Sequence, residues 1–284
     1  MQLIEKTDDL RHELAALRSK ERIALIATMG CLHDGHISLI RKAKRLADVV
    51  VVSIYVNPLQ FSAEEDLDRY LRPFAEDTRR CEAEGVDLLF HPESLFATPE
   101  PMVTLHVQTL GECLCGRFRP GHFDGMLTVV NALFNIVEPD LAIFGEKDWQ
   151  QLSIVRRMVY DLNMPVAIAS APIMREENGL AMSSRNQYLT VAERKRATCL
   201  FQALTVMRKA CLAGETNCVP LLAMATTVLR NEGLDAEYLE IRNSNTLKPI
   251  STIEADAHAF IAVRINNTRL IDNMALTKTL QKGE

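Results

Sequence analysis

Two histidines, His33 and His36, stand three residues apart in the string Thr28-Met29-Gly30-Cys31-Leu32-His33-Asp34-Gly35-His36. A short apolar run precedes it and an amphipathic run follows, so it falls where the first parallel strand gives way to a helix. In an open parallel sheet, ligands gather at the carboxyl ends of strands beside helix amino termini. Free N–H groups there carry partial positive charge and suit phosphate. At this spacing the two imidazoles share one face of the first helical turn, and Gly35 lets a nucleotide approach without meeting a Cβ. Two ring donors would then face charge growing on a phosphoryl oxygen. The plain alternative is that the glycines only turn the chain and the histidines only pack. Placement after the strand, with Thr-Met-Gly in front, weighs against it. Neither G-x-x-x-x-G-K-S/T nor G-x-G-x-x-G occurs, which disfavours phosphate-loop NTPases and dinucleotide enzymes.

Three further strings carry usable chemistry. Phe144-Gly145-Glu146-Lys147-Asp148-Trp149-Gln150-Gln151 marks another strand-to-helix junction. Gly145 permits close backbone approach, Lys147 is a mobile point charge for phosphate, and Asp148 could cap the helix or hold a ribose hydroxyl. Gln151 faces the same mouth one turn on. Met182-Ser183-Ser184-Arg185-Asn186, preceded by Asn178-Gly179, suits a glycine-hinged flap closing on a triphosphate. Asn57 and Gln60, in Asn57-Pro58-Leu59-Gln60-Phe61, offer neutral donors for a hydroxy acid. Arg117 to Phe123 adds cations before a helix start. A solvated helix and a polar loop are the bland alternatives for these strings. Arg41, Lys42, Lys44 and Arg45 read as a solvated helix back, as do Arg194, Lys195 and Arg196.

The elements that must position these groups follow from periodicity. Thr7 to Arg18 reads as an amphipathic helix with Thr7 as N-cap, Asp8 and Asp9 in its first turn, and Leu10, Leu14 and Leu17 on one stripe. Strand signals lie at Ile23 to Ala27, Val49 to Val56, Asp87 to Phe90, Leu141 to Phe144 and Val166 to Ala169. Helical signals fall between them, at Gly35 to Leu46, Phe74 to Glu84, Phe123 to Val137 and Trp149 to Leu162. This alternation predicts an α/β fold, a Rossmann-like parallel sheet wound on both faces. Beyond Pro172 the pattern becomes α+β. Helices are expected at Val191 to Ala213 and Val219 to Asn231, then strands at Glu237 to Arg242, Ala257 to Arg264 and Arg269 to Asn273. The boundary is drawn near Ile173, giving domains 1–173 and 174–284, with a loose tail from Thr277 to Glu284.

Composition narrows the class. A chain of 284 residues with 48% apolar and 24% charged residues is an ordinary globular protein with room for two cores. The formal charge of −5 argues against a general nucleic-acid surface. The apolar run Ala47 to Val56 is too short to span a membrane. Seven scattered cysteines fit a reducing compartment, so a cytoplasmic address is expected. Cys113 and Cys115 lack a second pair at zinc spacing and read as incidental thiols.

Taken in order, TMGCLHDGH, VNPLQF, RPGHFDG, FGEKDWQQL and GLAMSSRN span nearly the whole chain. The set resembles the pantothenate synthetase family, within the H-x-G-H nucleotidyl transferases. The resemblance implies the nucleotidyl-transferase type of sheet with a smaller α+β carboxy-terminal lid. It implies condensation of (R)-pantoate with β-alanine, with ATP and Mg²⁺, through a pantoyl-adenylate, in a homodimer joined through the nucleotide-binding domains. Met29, Gly30, Cys31, Leu32, His33, Asp34, Gly35 and His36 would line the ATP site, with His36 as proton donor. Gly145, Glu146, Lys147, Asp148, Met182, Ser183, Ser184 and Arg185 would also contact ATP, and the backbone at Met174 would contact adenine. Gln60 and Gln151 would hold pantoate, Gln60 also reaching β-alanine. Catalysis is assigned to His33, His36, Lys147 and Arg185, and pantoate contacts also to Asn57 and Met29. No metal ligand is assigned, although Asp77 lies in a suggestive place. The family commonly has Pro at Ala27, Ala at Cys31 and Val at Met174. Two other readings stand beside this one. An adenylyl transferase or a tRNA-charging fragment would share the first motif, and a nucleotide-sensing module would bind without turnover.

Overall fold

The computed structural model describes residues 1–62, 65–98 and 101–277. Two compact units divide the chain. Met1–Glu112, Arg119–Glu146 and Gln151–Ile173 form the first; Cys113–Phe118, Lys147–Gln150 and the chain from Met174 onward form the second.

The first unit holds a six-stranded parallel sheet in the order β1-β4-β3-β2-β5-β6. The strands are β1 (Gln2–Ile4), β2 (Ile23–Thr28), β3 (Val49–Ile54), β4 (Leu88–Phe90), β5 (Leu141–Gly145) and β6 (Ala167–Ala171). Every residue of β3 is buried, as are the first four of β2, which explains their nearly unbroken apolar sequence in a sheet covered on both faces. Each buried Val or Ile contributes about 1.5–3 kcal/mol, so the loops leaving these strands start from a rigid base. Strand β1 was not expected. It has three residues, one of them buried, too few for a periodic signal. Its partner is remote, with Gln2 opposite Leu88. The histidine motif therefore follows the second strand of the chain, not the first.

Helices α1 (Thr7–Leu17), α2 (Asp34–Leu46), α3 (Phe74–Ala83), α5 (His122–Val137) and most of α6 (Trp149–Asp161) complete this unit, while the single turn α4 (Cys115–Phe118) belongs to the second. Thr7 is the first helical residue of α1; Lys6 is the N-cap and makes no side-chain capping bond. Asp8 and Asp9 still occupy the first turn, where the helix dipole favours negative charge. Lys42 is not simply solvated, since its Nζ donates to Ser170 O on β6 at 2.7 Å. Strand β2 lies between β3 and β5, and the chain reverses its direction of travel across the sheet there. Thr28 and Gly145 end the two strands that flank this switch point, the place where open α/β sheets bind ligands.

The second unit contains α7 (Val191–Ala197), α8 (Cys199–Leu212), α9 (Cys218–Asn231) and an antiparallel sheet of β7 (Ala236–Asn243), β8 (Ala257–Ile265) and β9 (Thr268–Ala275). Leu200, Leu204 and Met207 of α8 and Leu221 and Leu229 of α9 are buried in one cluster with Ala259, Ile261 and Val263 of β8. The single helix expected from Val191 to Ala213 is two. They meet at Thr198, whose Oγ1 donates to Lys195 O at 2.8 Å; such a side-chain bond competes with the helical ladder. Arg194 donates to Asn186 O, and Arg196 to Glu232 O at the end of α9, so two of those three cations hold carbonyls. The expected loose tail lies outside the described residues from 278 on.

Candidate active site

The loop after β2 is shaped by two successive left-handed residues, Gly30 with φ of 80° and Cys31 with φ of 52°. Glycine is required at the first. A Cβ there would lie 2.9 Å from Asp77 Oδ2 and 3.1 Å from Ile54 Cγ2. Cys31 adopts a conformation uncommon for a residue with a side chain. Its amide donates to Asp77 Oδ2 at 2.8 Å, and the amide of Leu32 donates to Oδ1 at 2.7 Å. Asp77, on α3, is only 1% exposed. Burial raises its pKa above the usual carboxylate value, opposed by the bonds from Leu32 and Cys31 and by Arg80. The expectation of free amides along this loop fails at positions 31 and 32, because the protein's own carboxylate already fills them. The suggestive place of Asp77 is thus that of a brace for the loop.

The histidines hold each other. His33 is the N-cap of α2, and its Nδ1 accepts from Gly35 N–H at 3.1 Å. His36, three residues on, accepts at Nδ1 from His33 N–H at 3.3 Å. This is the reciprocal capping-box arrangement, made here with two imidazoles whose ring centroids are 4.2 Å apart. A ring nitrogen that accepts carries no hydrogen, so the neutral form of each ring bears its proton on Nε2. The cap therefore fixes two Nε2–H donors side by side. Asp34 between them is exposed and lies 3.6 Å from Arg80. A cavity of about 560 Å³ opens beside the loop, lined by Met29, Gly30, Tyr55, Arg72, Asp77 and His91 among others.

Gln60 lies in a short turn, Pro58–Gln60, after β3. Its Nε2 is 3.0 Å from Met29 Sδ, so two residues expected to meet pantoate are neighbours. Asn57 differs from expectation. It is 1% exposed, and its Nδ2 donates to Gln60 Oε1 and Gly125 O while its Oδ1 accepts from Leu59 N–H. Asn57 orients Gln60 and is not an outward donor in this structure. Arg119 pairs with Glu65, and His122 contacts Arg119 at Nε2 and Gln60 O at Nδ1. Arg117 pairs with Glu240 in the second unit. These cations are matched within the protein.

On the later segments, Gly145 ends β5 with open space where a Cβ would stand. Glu146 accepts from Ser170 Oγ at 2.8 Å, and Gln151 is half-buried at the start of α6. Lys147 Nζ is 3.7 Å from Asp148 Oδ1, and Lys147 O accepts from Asn273 Nδ2 at 2.8 Å. Gln150 is 5% exposed and grips the Cys113–Phe118 segment, donating to Cys113 O and accepting from Cys115 N–H. None of the seven cysteines, all among the described residues, forms a disulfide.

The stretch from Met174 to Arg185 is a closed turn. Met182 N–H donates to Met174 O at 2.9 Å, Arg175 bridges Ala181, and Ser183 Oγ accepts from Arg185 N–H. Gly179, with φ of 92°, is buried; a Cβ there would lie 2.3 Å from the Phe201 ring. It is a packed turn, not the hinge expected. The roles of Gly125, Gln150, Asp272 and Asn273 escape sequence reading, which marks Asp77 for its place but not as a brace. Only Gly125 carries a local signal, a glycine inside a helical pattern. The others act across long sequence separations.

A parallel α/β sheet whose switch-point strand runs into an imidazole-capped helix defines a nucleotide-binding enzyme of the H-x-G-H class. A profile of the Pantoate-beta-alanine ligase family matches residues 2–275. Pantothenate synthetase of Trichlorobacter lovleyi is 45% identical over 282 residues, 98% of this chain and 100% of its own. That of Pseudomonas putida strain W619 is 45% identical over 278 residues, 96% and 97% of the two chains. The crystal structure of pantothenate synthetase from Thermus thermophilus superposes with a TM-score of 0.93 at 41% identity, covering 98% of this chain and 100% of that one. Pantoate-beta-alanine ligase from Francisella tularensis, complexed with Beta-gamma ATP and beta-alanine, gives 0.82 at 31% identity over 97% and 98%. The chain belongs to the pantoate–β-alanine ligase family. It is an ATP-dependent ligase that condenses pantoate with β-alanine.

Proposed function

We propose that His33, His36, Lys147 and Arg185 act together on the triphosphate of ATP while Gln60, Met29 and Gln151 hold pantoate. The observation that carries this reading is the reciprocal imidazole cap, which presents two Nε2–H donors at the start of α2. A carboxylate is a poor electrophile, and joining it to AMP supplies a good leaving group. As pantoate attacks the α-phosphorus, charge grows on the phosphoryl oxygens and on departing pyrophosphate. The imidazole donors, the Lys147 ammonium and the Arg185 guanidinium offset that charge, with His36 as proton donor. Mg²⁺ bound with ATP would supply positive charge to the phosphates and would take one or two carboxylates rather than an all-protein cage. Asp34 and Asp148 are the exposed carboxylates of the two motifs that could serve it, Glu146 beside them being half-buried. Met29 to His36, Gly145 to Asp148 and Met182 to Arg185 contact ATP, with adenine against the Met174 backbone. Asn57 serves pantoate through Gln60.

The second half-reaction needs no side-chain nucleophile. A neutral β-alanine amine attacks the acyl carbon and displaces AMP, and positioning supplies much of the rate. The Francisella relative, solved with an ATP ligand and beta-alanine, supports both as small-molecule partners. In this reading residues 1–173 bind ATP and pantoate, the carboxy-terminal part acts as a lid, and the enzyme works as a cytoplasmic homodimer without nucleic acid or membrane.

Pantoate-dependent ATP–pyrophosphate exchange tests the assignments. His36→Ala and Lys147→Ala are each expected to slow exchange by on the order of 10²-fold or more, the cost of an oxyanion donor. Near wild-type exchange in both variants would overturn the roles given to them.

A further inference from the structure

Two adjacent residues of β9, Asp272 and Asn273, reach both segments of the second unit that carry phosphate-binding groups. Asn273 Nδ2 donates to the carbonyl of Lys147 at 2.8 Å. Asp272 accepts a two-pronged bond from Arg175, at 2.6 Å and 2.9 Å. Arg175 begins the closed turn that leads to Met182 and Arg185. Its guanidinium also donates to Gly179 O and lies over the Phe201 ring at 4.4 Å. The two β9 residues are tied to each other, Asn273 N–H donating to Asp272 Oδ1 at 2.7 Å. They are 3% and 4% exposed, too buried for direct contact with a substrate to explain them.

The amide of Asn273 is held in one orientation. Its Oδ1 is 2.8 Å from His258 Nε2. An amide oxygen only accepts, so His258 must donate from Nε2, which leaves Nδ2 of Asn273 facing Lys147 O. The His258 ring is 3% exposed and lies between Trp149 and Phe260, with centroids at 4.3 Å and 4.9 Å. Trp149 in turn donates from Nε1 to Ser244 O. Each member of this chain is fixed by packing, and the chain ends on the peptide that bears the Lys147 ammonium.

We propose that Asn273, oriented by His258, and Asp272, through Arg175, are positioning residues that set Lys147 and the Met182–Arg185 segment in register for adenylate formation. This rests on the reading that Lys147 serves the triphosphate. The consequence separates the two half-reactions. Pyrophosphate has left before β-alanine attacks, so misplacing Lys147 slows adenylation and leaves aminolysis of ready-made pantoyl-adenylate nearly unchanged. A loss of folded protein would lower both equally.

The experiment uses the full chain, with Asn273→Ala, Asn273→Asp, Lys147→Ala and the Asn273→Ala/Lys147→Ala pair. Pantoate-dependent ATP–pyrophosphate exchange reads the first step, and pantothenate formation from supplied pantoyl-adenylate and β-alanine reads the second. Asn273→Ala is expected to slow exchange by about 10²-fold, the effect of a displacement near 1 Å, and aminolysis by less than about threefold. It should add little to Lys147→Ala, because groups that act as a unit are not additive. Asn273→Asp keeps size and the acceptor for His258 but cannot donate to Lys147 O. It should behave like Asn273→Ala, and it carries the test if the alanine variant does not fold. Equal loss of both steps, or full additivity with Lys147→Ala, would overturn the proposal. So would intact exchange in the Asn273 variants when Lys147→Ala abolishes it, a result that spares the role of Lys147. Intact exchange in Lys147→Ala itself would remove that role and the proposal with it.

Discussion

The loop after β2 and the peptide of Lys147 are both held by a side chain from far along the chain, yet by opposite chemistry. Asp77 grips two amide N–H groups with a buried carboxylate. Asn273 grips one carbonyl with a neutral amide, itself turned by a neutral imidazole. The difference follows from what each segment must do. The β2 loop carries two left-handed residues, whose inward amides are donors in need of an acceptor, and a carboxylate accepts most strongly. The Lys147 peptide offers a carbonyl. A cation there would satisfy it but would repel the Lys147 ammonium, whereas an amide donates without charge. The first brace is electrostatically costly and strong, the second mild and directional.

Removing the charged brace gives the largest expected effect on stability. Asp77→Ala strands two buried donors at about 1–3 kcal/mol each. Relief of the buried charge offsets part of this, so a net loss of about 2–4 kcal/mol is expected, with exchange activity falling alongside. Urea denaturation measures it, and an unchanged midpoint would show that the loop holds its shape without Asp77. The raised pKa of Asp77 adds a sign. The folded state binds this proton more tightly than the unfolded chain, whose value is 3.8. Stability linked to it is complete below that value and is lost as pH rises through the folded pKa.

The neutral brace shows the reverse slope. Burial lowers the pKa of His258 from 6.5 to about 4, against the bond it donates to Asn273. Stability linked to His258 is complete above pH 6.5 and is lost as pH falls toward 4, while the unfolded chain takes up a proton that the folded ring refuses. At about 1.36 kcal/mol per pH unit, wild type should lose roughly 3 kcal/mol more than His258→Gln across that window. Glutamine keeps a donor for Asn273 Oδ1 and removes the titration. Urea midpoints at pH 7, 5.5 and 4 check this, and parallel curves for the two proteins would mean that the imidazole is not held neutral.

What was legible in the sequence divides along the same line. The parallel sheet, the strand-to-helix junctions and the histidine pair are local patterns with fixed periods, and the family fold confirms the α/β class. The braces are not local. Asp77 meets the loop across 45 and 46 residues and Asn273 meets Lys147 across 126, and a buried Asp or Asn looks like any other polar residue in the string. The break at Thr198 was hidden for a different reason, since no Gly or Pro marks it. Gly179 misled in the opposite sense, because a glycine chosen for contact with Phe201 reads the same as a hinge.

Gly125 supplies a third means of placement, shape alone, and the smallest expected effect. In α5 a Cβ at this position would lie 2.0 Å from Leu59 O, 2.3 Å from Leu59 C and 2.8 Å from Gln60 N. The atoms it would strike are backbone, so no rotamer change relieves the clash; either the Pro58–Gln60 turn or the helix must move. Asn57 bridges the same two segments through Gly125 O and Gln60 Oε1, so displacement of the turn is passed directly to Gln60. Gly125→Ala is expected to cost about 1–3 kcal/mol of stability, as overpacking does. If Gln60 holds pantoate, the KM for pantoate in the exchange reaction should rise about tenfold, near 1.4 kcal/mol, with the KM for ATP nearly constant. The histidine cap does not depend on this contact, which is why ATP should be spared. An equal rise in both constants would mean that the turn supports the whole site, and no rise in either would remove Gln60 from the pantoate pocket.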